Sequence, residues 1–227
     1  MTILTISSSS SFEPAAGFSQ KVRQFSAAEP LFYNPQEILL PEVFPFFAIK
    51  RQAEFIAGRL AAQEALRDIG VEDLIGWDPL YKIPQWPEGT IGSITHTRGF
   101  ARAAVARRGR WTGLGIDSEQ VVLRGLTAKF AARILSEEER EAFLATKTLS
   151  EAEYLSLVFS AKESLFKCLF PLVRKKFYFK SAKITVEQPG IFTGELRDDL
   201  AAGFTQGRKL SGFYHFSGGM VHTLLGI

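Results

Sequence analysis

The chain has 227 residues, 46% of them hydrophobic and 22% charged, with 20 Phe and a formal net charge of +3. That apolar content excludes a disordered chain, and so small an excess of positive charge excludes a dedicated nucleic-acid binder while suiting anionic ligands. The single cysteine, Cys168, excludes an internal disulfide and a cysteine-based metal cluster, and three histidines at non-motif spacings argue against a zinc site.

Residues 1–47 carry a serine run, Ser7 to Ser11, and prolines at 14, 30, 35, 41 and 45. This predicts loops or short strands and no helix. The opening residues lack the basic start of a signal peptide, and the apolar stretch 38–49 is broken by Pro41, Glu42 and Pro45. A cytoplasmic protein without a membrane span is therefore expected. Between Phe47 and Gly70, Ile49, Ala53, Ile56 and Leu60 recur at helical spacing, which predicts the first helix. Residues 76–90, with three prolines and two Trp, read as a loop.

Strand composition follows in 91–97 and 101–108, and a polar turn at 107–110 leads to a further strand over 111–122. Ser136 with Glu139, and Ser150 with Glu153, have the spacing of capping boxes opening two helices. The second of these is predicted to end near Phe170, before Pro171. The segments 181–188, 191–196, 209–216 and 220–227 return to strand composition. Each half thus offers helix first and hairpin-like strands afterwards. This predicts a mixed α/β (α+β) fold of two similar halves, 1–111 and 112–227.

Three segments carry chemistry. In Gly115-Ile-Asp117-Ser-Glu119, period-two alternation places both acids on one face of a strand. Two adjacent carboxylates are either open to water or neutralised by a cation, and hard oxygen ligands suit Mg²⁺. In the helix of 151–170, Leu155, Val158, Phe159, Leu165, Phe166 and Leu169 form an apolar stripe, with Lys162 near its centre and Glu163 at its edge. Lys162 could snorkel, and Glu163 with Lys167 would then be an ordinary i,i+4 pair worth about 0.2–0.5 kcal/mol. An ammonium centred on an apolar face nevertheless calls for an anion, and a buried phosphate ligand would supply one. In the first helix, Arg51 and Arg59 point to the same quarter and could fork a phosphate, with Lys82 and His96 as further donors.

At GSITH (92–96), GIDSE (115–119) and FSAKESLFK (159–167) the chain resembles the 4′-phosphopantetheinyl transferases of the surfactin/enterobactin type. KRQAEFIAGRLAAQEAL (50–66) is similar to the first helix of the enterobactin synthase component D branch. The resemblance runs over roughly residues 46 to 171. It implies a pseudo-twofold pair of α/β halves with the active site between them. It further implies transfer of 4′-phosphopantetheine from coenzyme A to a serine of an apo carrier protein, in siderophore, nonribosomal-peptide, polyketide or fatty-acid synthesis.

By the same resemblance Asp117, Glu119 and Glu163 bind Mg²⁺ or Mn²⁺ on the coenzyme A pyrophosphate. His96, Arg51 and Arg59 hold its 3′-phosphate, and Lys82 lies near its phosphates. Lys162 and Lys167 face the phosphates and the carrier helix. Thr95 stands where many members have Ser, and Phe159 replaces a Trp. Glu163 is the candidate general base, Lys162 the stabiliser of developing charge, and the basic run Arg174, Lys175, Lys176 and Lys180 a docking surface for an acidic carrier. A monomer acting on no nucleic acid is expected. Two other classes fit less well: a serine hydrolase built on Ser93 and His96 lacks a G-x-S-x-G elbow, and an RNA-binding module lacks an RNP-like motif.

Overall fold

A computed structural model of the chain describes residues 17–26, 33–97, 99–121, 128–145 and 148–227. The serine run at 7–11, Pro14 and Pro30 lie outside the described residues. The chain forms two compact units, Met1–Leu114 and Gly115–Ile227.

In unit one, β1 (Phe18–Gln24) precedes a 3-10 turn (Phe44–Phe46) and helix α1 (Ile49–Asp68). The short strands β2 (Gly76–Asp78) and β3 (Ile83–Gln85) follow, then β4 (Thr90–Thr97) and β5 (Phe100–Arg107). An antiparallel sheet has the order β1-β5-β4. Its α1 side joins Ala103 and Val105 of β5 to Ala61, Ala62, Ala65 and Leu66 of the helix. α1 is buried on all sides from Ala53 to Gln63, which its small residues permit. A Cβ at Gly58 would stand 2.7 Å from Ile94 Cγ2, so the helix meets β4 there closer than any side chain allows. The basic groups on this sheet face are answered by acids of α1: Lys21 lies 2.8 Å from Asp68 and Arg23 3.3 Å from Glu64.

The loop expected over 76–90 is instead a hairpin, with β2 and β3 paired from Gly76↔Gln85 to Asp78↔Ile83. Pro84 is tolerated because both strands of a two-stranded ribbon are edges. Asp78 organises the turn: its Oδ1 accepts from the Leu80 and Tyr81 amides at 3.0 Å, and its carbonyl accepts from the Lys82 amide at 2.8 Å. Lys82 closes it in the left-handed region, at φ 58°.

In unit two, β6 (Leu114–Gln120) leads to α2 (Ala128–Ile134), α3 (Glu137–Ala145) and the long α4 (Glu151–Val173). A four-stranded meander then runs through β7 (Ala182–Gln188), β8 (Ile191–Leu196), β9 (Lys209–Ser217) and β10 (Met220–Gly226). The sheet order is β6-β10-β9-β8-β7. The predicted apolar stripe of α4 packs on it: Leu155, Val158, Leu165 and Leu169 share a core with Ile184, Phe192, Leu196 and Leu225.

Both predicted capping boxes form. The Glu139 amide donates to Ser136 Oγ and the Ser136 amide to Glu139 Oε2, and Ser150 and Glu153 repeat the exchange. α4 runs past its predicted end, through Pro171 to Val173, and closes where the Arg174 amide donates to Phe170 O. Burial of Leu169 and Phe170 outweighs the one hydrogen bond that a proline in the last turn removes. Among the described residues no helix is long and apolar enough to cross a membrane.

Candidate functional site

β6 lies directly against α4. A Cβ at Gly115 would stand 1.9 Å from Ser164 O and 2.6 Å from the Cys168 amide nitrogen, so only glycine permits this approach. Strand alternation then turns Asp117 and Glu119 toward the helix as well, with Ser118 on the other face bonding His222 Nδ1 at 2.9 Å. Opposite them α4 presents Glu163 and, one turn on, Lys167. Lys167 Nζ lies 2.6 Å from Asp117 Oδ1, which is 2% exposed, so the lysine pairs across to the strand.

Burial pushes the Glu119 carboxyl up to about 7; repulsion from Asp117 and Glu163 adds to the shift, and Lys167 opposes it. Burial also raises Glu163, with Lys167 countering and Asp117 adding. Three carboxylates therefore share one field, with the Lys167 ammonium among them. Among the described residues no three acids or histidines are already arranged as a metal-binding group. The donor chemistry still fits a hard divalent ion, because Lys167 stands as a monovalent cation in a field that repels itself.

Lys162 is 3% exposed, as the apolar stripe predicts, but the anion that answers it is not a ligand. Its ammonium bonds Glu139 Oε2 at 2.8 Å and Ile134 O at 2.7 Å. The other oxygen of Glu139 accepts from the Ile184 amide at 2.7 Å. Burial draws the ammonium below its ordinary range, and Glu139 opposes that. Where the resemblance implied a phosphate contact for Lys162, the structure gives it an internal partner: both its described bonds tie α4 to the segment before it. Glu139 was legible only as a capping residue, since nothing local marks a partner 23 positions away.

In unit one, α1 and β4 gather a second cluster. Arg51 Nη1 meets His96 Nε2. Beneath both lies the buried carboxylate of Glu54, with Oε2 at 3.4 Å from His96 Nδ1 and 3.7 Å from Arg51 Nη1. Glu54 was not singled out from the sequence, although its i,i+3 spacing from Arg51 is the available signal. Arg59 does not join this cluster. At 3% exposure it donates to Ile75 O at 2.8 Å and lies over the Phe55 ring, 5.0 Å from its centroid. Burial lowers it to about 10. The structure does not bring Arg59 to Arg51: eight positions share a helix quarter but separate two residues by about 12 Å along the axis. Thr95, 2% exposed, falls on the opposite strand face from His96. Ser93 is buried on that same opposite face, which removes the geometry of a Ser93–His96 hydrolase. Lys82 is exposed on its turn.

A cavity of roughly 230 Å³ opens beside Glu163, walled by Phe166, Phe177, Tyr178, Phe179 and Ala182 and by Lys162. The basic run that follows α4 is exposed at Arg174, Lys175, Lys176 and Lys180.

Residues 47–106 match the family model of the 4′-phosphopantetheinyl transferase N-terminal domain, and residues 113–216 that of the 4′-phosphopantetheinyl transferase superfamily. The chain is 36% identical over 191 residues to the 4′-phosphopantetheinyl transferase Svp of Streptomyces mobaraensis, covering 79% of this chain and 74% of Svp. It is 38% identical over 136 residues to enterobactin synthase component D of Salmonella typhimurium, covering 60% of this chain and 55% of that protein. To the 4′-phosphopantetheinyl transferase PptT of Mycobacterium tuberculosis it is 33% identical over 157 residues, covering 65% of each. The chain thus spans about half the length of the Salmonella relative and three quarters of Svp.

Proposed function

The chain belongs to the 4′-phosphopantetheinyl transferase superfamily and is an enzyme of that class, and on that premise we propose that it moves 4′-phosphopantetheine from coenzyme A to a serine of an apo carrier protein. The observation that supports this reading best is the gathering of Asp117, Glu119 and Glu163 around Lys167 where Gly115 lets β6 meet α4. Those residues would hold Mg²⁺ or Mn²⁺, which when bound neutralises the pyrophosphate and withdraws electrons from the phosphorus under attack.

The residues of the chain have separate tasks. Arg51 and His96 hold the 3′-phosphate of the nucleotide, as a guanidinium and an imidazole on one face suit a phosphate monoester. Lys82, exposed on its turn, adds a mobile positive charge for the same nucleotide. The aromatic cavity beside Glu163 takes the uncharged pantetheine arm. Glu163 takes the proton of the carrier serine, whose oxygen forms the new bond to the β-phosphorus as the bond to 3′,5′-ADP breaks. In the metal-free chain burial holds this carboxyl above the usual carboxylate range, and a bound cation would lower it again. Lys167 supplies positive charge beside it, and Lys162, tied to Glu139, positions α4. The basic run at Arg174, Lys175, Lys176 and Lys180 docks an acidic carrier, and the enzyme acts as a cytoplasmic monomer. Its resemblance to component D points to carriers of siderophore or other secondary metabolism.

The test is mass spectrometry of apo carrier proteins incubated with coenzyme A, Mg²⁺ and the chain. A gain of one phosphopantetheine mass is expected, and no gain across fatty-acid, polyketide and peptide carriers overturns the reading. Glu163→Gln separates the base from the rest: near-normal transfer with intact Mg²⁺ dependence would remove its proposed role.

A further inference from the structure

The Arg51–His96–Glu54 cluster carries an inference about protons. A guanidinium has five donors and no acceptor, so the imidazole nitrogen facing Arg51 must present a lone pair. In the free enzyme His96 is therefore neutral, with its hydrogen on Nδ1, the nitrogen that faces Glu54 at 3.4 Å. A phosphate dianion reverses this requirement. Its oxygens only accept, so a lone pair on Nε2 repels it, while an Nε2–H donates to it. The neutral Nε2–H tautomer would turn the Nδ1 lone pair toward the buried carboxylate of Glu54, so the ring meets the ligand best as an imidazolium, donating from both nitrogens.

The charged surroundings favour this over the alternatives. On α1 the groups around the ring are Arg51, Glu54 and Lys50, whose Nζ is 3.7 Å from Glu54 Oε1. On β5 the residue paired with His96 is Ala101, and the next on β1 is Arg23, already held by Glu64. Glu54 faces the ring and is shared with two cations.

We propose that the anion site of unit one is proton-coupled: a phosphate monoester binding at Arg51 and His96 draws a proton from solvent onto His96 Nε2, and Glu54 is the positioning residue that holds the ring for it. This rests on the reading that the 3′-phosphate of coenzyme A binds there. The proton leaves the buffer and stays on the ring while the nucleotide is bound, and it returns when 3′,5′-ADP departs. Arg51 swings from His96 to the ligand, so the contact that keeps the ring neutral is broken by the same event that charges it.

The experiment is titration calorimetry of the full chain with coenzyme A and with dephospho-coenzyme A, in the presence of Mg²⁺, in two buffers of different ionisation enthalpy. At pH 8 the phosphate monoester is already a dianion, since its second pKa is about 6, so a proton taken up belongs to the protein. The two ligands carry the same thiol and pyrophosphate, and their difference isolates the 3′-phosphate. Wild type is expected to take up more protons with coenzyme A than with dephospho-coenzyme A, and His96→Asn and the isosteric Glu54→Gln to lose that excess.

Glu54→Gln should also weaken coenzyme A binding about tenfold at pH 8, the equivalent of one unit of ring basicity. That deficit should shrink at pH 6.5, where the ring protonates with less help; damage to the fold would leave it unchanged across pH. If coenzyme A binds more tightly than dephospho-coenzyme A but with equal proton uptake, or if the excess persists in His96→Asn, the proton coupling is overturned and the phosphate site stands. If the two ligands bind equally and Arg51→Ala changes neither, the phosphate reading falls and the coupling with it.

Discussion

Each unit lays one long helix on an antiparallel sheet, and each helix buries a cation, yet the two cations are held by different physics. Arg59 of α1 has a backbone carbonyl and an aromatic face, and one of its terminal nitrogens, Nη2, is buried without a hydrogen-bond partner. Lys162 of α4 has a carboxylate, a carbonyl and, through Glu139, a link to an amide of β7. A guanidinium spreads its charge over a plane and tolerates partial desolvation, whereas a compact ammonium does not. The lysine therefore needs a full counter-charge, and the arginine does not.

Breaking the carboxylate should give the largest effect. Glu139→Ala strands a buried ammonium and two backbone amides, at an expected cost of about 3–5 kcal/mol in urea unfolding. The double variant Lys162→Met with Glu139→Leu should recover part of that loss, because it removes the stranded ammonium while the Ser136 and Ile184 amides still lack their acceptor. Arg59→Met should cost far less, about 1–2 kcal/mol, because it forfeits one neutral acceptor and a ring contact. Equal losses for Glu139→Ala and Arg59→Met would sink the distinction.

The units also differ in where glycine is required. Gly115→Ala puts a methyl into the backbone of α4, with expected destabilisation of about 1–3 kcal/mol and loss of transfer activity, as β6 and its acids move from Glu163 and Lys167. Lys82 is the converse, a side chain where glycine would be easier. Lys82→Gly should raise stability by about 1 kcal/mol while increasing the KM for coenzyme A. A variant both more stable and unchanged in KM would show that the strained turn serves no ligand.

The acid cluster of unit two gives a smaller, pH-dependent signal. Glu119 titrates near 7 in the folded chain, above its unfolded value of 4.5. The folded state thus binds more protons between those values, and metal-free protein should lose stability as pH rises from about 4.5 through 7. In chelator, Glu119→Gln should flatten that decline and match or exceed wild type in Tm at pH 8. Mg²⁺ should restore wild type at pH 8 and leave Asp117→Asn unmoved. A wild-type Tm independent of pH over this range would contradict the crowding of charges.

The legibility of these features follows their range. Asp117 and Glu119 share a face because strand period is local, and both capping boxes were readable because three residues suffice to form one. The stripe of α4 predicted that Lys162 is buried and needs an anion, but desolvation demands only a charge and cannot name its source. Glu139, met across a turn and a second helix, supplied it in place of a ligand. Arg59 shows the same limit: helical phase gave its direction but not its depth. The hairpin at 76–85 was hidden by its prolines, which are read as breakers unless the strand is known to be an edge.

What the sequence determined by itself was the helices with their caps and apolar faces, the strands of the meander, and the side of β6 that carries the acids. All of these depend on dihedral preferences and on periodicities of two or 3.6 residues. Only the tertiary structure decided the partners: Lys167 with Asp117, Lys162 with Glu139, and His96 between Arg51 and Glu54. Charge is felt over a few ångströms in space and has no period along the chain, so its pairing is fixed where backbones meet, as at Gly115.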